Sequence, residues 1–119
     1  MKDTIFYKSD YHEEQTKLLL NKFDKPSIKS DLEYGVLAYI IGATFKAKNI
    51  ESTIDNEGSI DLEQLYEIMA VFSSSEKNMI RFSLQCFNKS IDNITLSEVM
   101  HGLDDDNVKV IKQAIELLW

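Results

Sequence analysis

Ten consecutive residues from Val36 to Phe45 pass without a charge, and their apolar side chains are not confined to one face at any helical spacing. Ser30-Asp31-Leu32-Glu33 stands just upstream with the spacing of a capping box, in which a Ser hydroxyl and a Glu carboxylate satisfy backbone N–H groups left unpaired by a helix start. The pattern predicts a helix from there to about Lys48, apolar nearly all round and so contacted on several sides. Its apolar stretch is about half of what a bilayer needs, so it reads as a core helix and not a membrane span. Gly35, Ala38 and Gly42 share one strip at spacings of three and four, where missing bulk lets another helix approach closely.

Four or five further helices surround that one in the reading. Ser9 or Asp10 caps a helix that runs to about Phe23 and ends at Asp24-Lys25-Pro26. Periodicity returns from Leu62 to Phe72, and Ser73 to Glu76 opens a helix to about Asn88. Thr95 to Glu98 caps a short helix ending near Gly102, and Asp104 starts the last one, with Val108, Ile111, Ile115 and Leu118 on its core-facing stripe. With one Pro, four Gly and no low-complexity stretch, nothing separates two domains. The expectation is an all-α fold, a single compact domain over residues 1–119 with five to six helices. Its expected core holds Leu19, Phe23, Val36, Leu37, Ile40, Ile41, Phe45, Leu65, Ile68, Met69, Met79, Phe82, Phe87, Val99, Ile111 and Ile115.

Thirteen basic against twenty acidic side chains leave a formal charge of −7, and only Arg81 among the basic ones is an arginine. Such a surface repels phosphate backbones and lacks the planar forks that grip them, which argues against direct nucleic-acid binding. The lone Cys86, set among Leu84 and Phe87, reads as a reduced core thiol of a cytoplasmic protein. The amino-terminal stretch from Met1 to Tyr7 lacks the apolar segment and cleavage site of a secretory signal.

Ile60 to Leu65 and Ile94 to Val99 share an apolar residue, a capping residue, a Leu and a second apolar residue, 34 residues apart. The first of the two loops resembles an EF-hand calcium loop. With Gly58 as the turn glycine, Thr53, Asp55, Glu57 and Ser59 fall at the first, third, fifth and seventh places, and Ile60, Asp61 and Gln64 at the eighth, ninth and twelfth. The resemblance implies a minimal two-strand contact joining Ile60 to Ile94, and a cation site of Asp55, Glu57 and Asp61. Thr53 and Gln64 stand where a calcium loop needs its first carboxylate and its bidentate Glu, so such a site would be weak.

No phosphate loop, nucleophile elbow or zinc motif occurs, and His12, His101 and Cys86 stand apart in sequence. His12 reads as a solvated ring in an exposed first turn, and His101 as a ring near a helix end. The expectation is no enzyme and no cofactor. Acidic residues gather instead: Glu51, Asp55, Glu57, Asp61, Glu63 and Glu67 form one base-free group, and Asp92, Glu98, Asp104, Asp105 and Asp106 a second. Glu51, Glu63, Glu67, Asp104, Asp105 and Asp106 are the candidate contact residues for a protein partner with a basic surface, neither nucleic acid nor membrane being expected. The functional reading is a non-catalytic acidic interaction module. Its alternatives are an inhibitor or immunity-type protein masking a basic nucleic-acid site of an effector, and a weak calcium responder.

The Phe6-Tyr7 opening, the Ser73 to Glu76 start with Arg81-Phe82, and Leu84 to Asn88 resemble small uncharacterised proteins of Gram-positive bacteria and their phages. That resemblance implies an accessory cytoplasmic protein and transfers no site residues.

Overall fold

In the computed structural model, which describes residues 4–119, a buried helix forms the axis of an all-α fold. Met1 to Asp3, part of the stretch read for an export signal, lie outside the described residues. Helix α1 covers Asp10–Lys22, capped by the Ser9 side chain, which accepts from the His12 N–H. A 3-10 turn over Ile28–Ser30 leads to α2, Leu32–Ala43, whose cap is Asp31 and not the predicted Ser30, because the Ser30 hydroxyl is taken up by the Ser27 backbone. Every residue of α2 from Gly35 to Ala43 is buried, as its all-round apolar character requires. α1 and the later helices over Ser74–Phe87 and Asp105–Leu118 pack around it.

The predicted extension of α2 to Lys48 is broken. The Thr44 hydroxyl donates to the Ile41 carbonyl at 2.6 Å, Phe45 turns into the left-handed region at φ +62°, and the chain restarts as α3, Ala47–Ile50. The Gln15 side chain of α1 takes up the freed Ala47 N–H at 3.0 Å, so a tertiary contact settles what local propensity leaves open. After a 3-10 turn at Glu51–Thr53 come α4 (Leu62–Met69), α5 (Ser74–Phe87), α6 (Leu96–Met100) and α7 (Asp105–Leu118). The described residues thus hold seven α-helices in place of five to six, the extra one coming from the break in α2. Reciprocal capping boxes at Ser73 with Glu76 and at Thr95 with Glu98 start α5 and α6 as the sequence predicts.

The expected pairing of Ile60 with Ile94 is absent among the described residues. Ile60 makes an antiparallel bridge to Ile54 of its own loop, because the Asp55 N–H donates to Ser59 and the Asp61 N–H to Thr53, closing the loop on itself.

Of the small residues of α2, Gly42 admits another helix as the sequence expects, while Gly35 admits a 3-10 turn. A Cβ on Gly42 would lie 2.6 Å from the Thr16 hydroxyl of α1, and one on Gly35 only 2.1 Å from the Ile28 carbonyl. α1 runs antiparallel to α2: Gln15 reaches Ala47 near one end, and the Phe23 and Tyr34 rings meet at the other, their centroids 5.0 Å apart. α5 is antiparallel to α2 as well, with Glu76 near Lys46 and Phe87 against Tyr34. One end of the molecule therefore gathers the starts of α1, α5 and α7 around Phe45, and the other holds Phe23, Tyr34, Phe87 and the 54–60 loop.

Residues 4–8 form a strap across the helices. The Phe6 N–H donates to Gln113 at 2.9 Å, the Tyr39 hydroxyl donates to the Phe6 carbonyl, and the Lys8 ammonium donates to Asn107 at 2.9 Å. No helix among the described residues is long and apolar enough to cross a membrane.

Candidate functional site

The 54–61 loop keeps the turn of the calcium-loop reading and little of its ligand set. Gly58 has φ +82° beside the Phe23 carbonyl, where its Cβ would come within 3.4 Å, so the turn glycine is required there. One oxygen of Asp55 accepts from the Glu57 and Ser59 N–H groups at 2.9 and 3.0 Å, and Asp61 caps α4 through the Gln64 N–H at 3.1 Å. The Thr53 hydroxyl is buried and donates back to Ile50. Asp55, Ser59, Asp61 and Gln64 line a concavity of about 290 Å³ to which Glu57 does not contribute. Among the described residues no three His, Cys, Asp or Glu side chains gather in a way that holds a metal ion. The carboxylates here serve backbone N–H groups, the ordinary work of Asp in turns and at helix starts.

Two stretches of the acidic groups lie at opposite ends of α2, while α4 carries Glu63 and Glu67 from the loop end back toward Phe72 and Lys46. The loop bearing Asp55, Glu57 and Asp61 sits by Phe23 and Tyr34, whereas Asp104, Asp105 and Asp106 open α7 beside Lys8 and Phe45. Glu57, Glu63, Glu67, Asp104, Asp105 and Asp106 are exposed and Glu51 is half-buried. None of the ion pairs among the described residues uses any of them.

Asp92 leaves the second group, whose base-free character in sequence is not kept in space. Its carboxylate, only 8% exposed, takes a bidentate grip from Arg81, with Nε at 3.0 and 3.1 Å and Nη2 at 2.9 Å, and a fourth bond from the Tyr66 hydroxyl at 3.1 Å. Burial pushes the Asp92 carboxyl up, but hydrogen bonds from Arg81, Asn93 and Tyr66 hold it below the usual carboxylate range. This clamp ties α4, α5 and the 88–95 loop together and consumes the chain's sole guanidinium fork. Lys8, from the far amino-terminal strap, comes to lie in the field of Asp104, Asp106 and Glu76.

His12 is not the solvated ring that its sequence setting predicts: it is 0% exposed. Its Nδ1 accepts the Lys8 N–H at 3.1 Å and its Nε2–H donates to the Tyr39 carbonyl at 2.9 Å, which fixes the neutral tautomer with both nitrogens used. Burial pulls its pKa down to about 4 despite the bond to Tyr39. The Tyr7 and Tyr39 rings flank it, at centroid distances of 5.1 and 4.8 Å. Such a ring has no free nitrogen for proton transfer. His101 is exposed past the end of α6. Cys86 is half-buried beside a concavity of about 530 Å³ that Trp119 also lines, and burial pushes its thiol to about 11, so at neutral pH it carries no appreciable thiolate.

Sequence reasoning places Phe45 in the core, and the structure puts it outside. Its ring is 39% exposed, packs 5.0 Å from that of Tyr11, itself 41% exposed, and lies 4.5 Å under the Lys8 ammonium. The next residue, Lys46, extends over the Phe72 ring at 5.2 Å and toward Glu76 at 4.0 Å. Val71, beside Phe72 in sequence, is 87% exposed. An L-residue in the left-handed region costs roughly 1–2 kcal/mol, and a large aromatic gains none of glycine's latitude there. The backbone flip that carries this cost is also what turns the Phe45 ring out of the core. Nothing in the local sequence announces it, since the Thr44-Phe45 pair is no helix breaker. Comparison with protein-family models, with curated proteins and with solved structures finds no match for the chain.

Proposed function

We propose that the protein is a non-catalytic interaction module that holds a partner protein with a basic surface. The observation that carries this reading is the state of its carboxylates: those used internally serve as turns or caps or sit in the Asp92 clamp, while Glu63, Glu67 and Asp105 face solvent outside every ion pair among the described residues. Unpaired surface charge of one sign contributes little to folding and much to the rate and choice of association. The histidines and the cysteine add support from the other side, since His12 is locked neutral and the Cys86 thiol is held protonated. Reversing Asp105 and Asp106 together, or Glu63 and Glu67 together, identifies the contact group. Affinity capture with the intact chain should retain a basic protein at low salt, release it at high salt, and lose it in one of the two double variants. Retention that ignores both salt and charge reversal overturns the reading.

A further inference from the structure

We propose that the step formed by the Tyr11 and Phe45 rings is the docking point for a basic amphipathic helix of the partner, an inference that rests on the reading above and locates its contact. The two rings stand 5.0 Å apart, close to the spacing of side chains one helical turn apart, so consecutive apolar residues of a helix can cover both. The charge of the helix follows from what surrounds the step. The chain's own Lys8 ammonium already sits over the Phe45 ring, hydrogen-bonded to Asn107 and in the field of Asp104, Asp106 and Glu76. A cation above an aromatic face within a rim of carboxylates is the arrangement this surface favours, and Asp105, exposed on the same helix turn, extends the rim outward. Phe45 takes the left-handed backbone just past α2, as Asp24 does just past α1, and there it holds a ring outside the core. An acidic partner would meet the rim's repulsion, and a purely apolar one would leave the carboxylates desolvated and unpaired.

The test uses two synthetic amphipathic peptides, one of Leu and Lys and one of Leu and Glu, titrated into the intact protein at low salt. The Leu/Lys peptide should bind and the Leu/Glu peptide should not. Phe45→Gly should weaken that binding at least tenfold with the thermal midpoint unchanged or raised. Tyr11→Ala, a second route to the same loss, should weaken it as well, as should Asp105→Lys with Asp106→Lys, whereas Glu116→Lys near the other end of α7 should leave it intact. The inference is overturned if the Leu/Lys peptide fails to bind, or binds Phe45→Gly and Tyr11→Ala as tightly as the original chain. Salt-sensitive capture of a basic protein that survives both aromatic substitutions also overturns it while leaving the broader reading in place.

Discussion

His12 shows how far one side chain departs from what its neighbours in sequence imply. Position 12 lies in a first turn flanked by Tyr11 and Glu13, which reads as solvated, yet the Tyr39 carbonyl and the Lys8 N–H close over both ring nitrogens. Nothing local encodes those partners, because one of them is 27 residues away. The consequence is measurable as a pH dependence. The folded ring titrates near 4 and an unfolded one near 6.5, so between those values the unfolded chain binds more protons. Stability should be complete above about pH 7 and fall by about 3 kcal/mol as the pH drops toward 4, at roughly 1.4 kcal/mol per tenfold change in proton activity. Asp92 adds a separate window: its depressed carboxyl stabilises the fold above about pH 4, and that contribution is lost in stronger acid. Urea midpoints at pH 7.5, 5.5 and 4.5 should show the upper slope, and His12→Asn should flatten it; an equal slope in both proteins would refute the assignment. Alanine at Gly35 meets the Ile28 backbone and at Gly42 the Thr16 hydroxyl with the Thr16 backbone N at 3.0 Å behind it, so each substitution should cost about 1–3 kcal/mol, with Gly35→Ala the worse. Their close-packing role was legible from spacing alone, although the partner of Gly35 is a 3-10 turn and not the helix that spacing implies.

Helix starts were the most readable elements, since capping chemistry is local: Asp61, Ser73, Thr95 and Asp104 each accept the N–H three residues on, whereas α2 is capped by Asp31 and not by the Ser30 of the predicted box. Stops were harder. The end of α2 depends on Gln15, which lies in another helix, and no residue between Val36 and Lys48 signals it. Gln15→Leu should therefore strand the buried Ala47 N–H and cost about 1–3 kcal/mol, read as a lowered urea midpoint. Removing the cap of α6 makes a sharper local probe. That helix has five residues, too few to persist unaided, and Thr95→Ala should cost about 1 kcal/mol while amide exchange rises first in Leu96–Met100. Uniform protection across that segment in the variant would count against the cap. The helix-loop-helix likeness around Gly58 was legible as a turn, whereas its pairing with the Ile94 segment was not a property of the pattern. A strand partner is chosen by where helices bring loops, and here the loop's own Ile54 is nearer to hand.

Across the whole molecule, the all-α character follows from hydrophobic period and caps, but the order in which helices surround α2 does not. Periodicity says which face is apolar without saying what covers it. That gap explains why Phe45 reads as core, and why the 54–61 loop and the Asp104–Asp106 start of α7, both acidic in sequence, are found at opposite ends. The excess of negative charge has its own consequence for stability. The ion pairs among the described residues are mostly half-exposed, and such pairs contribute little, so screening should relieve more repulsion than it removes attraction. Raising sodium chloride from about 20 to about 200 mM should lift the thermal midpoint by a few degrees, and a fall would place net electrostatics on the attractive side. The commitment of Arg81 to Asp92 reaches beyond the clamp. Apart from that guanidinium, the strongly basic side chains of the sequence are all primary amines, twelve lysines. Acylation by an amine-selective reagent would erase that positive character in one step and shift the isoelectric point further toward acid. The Arg81 linkage, which offers no amine, would come through the treatment chemically untouched.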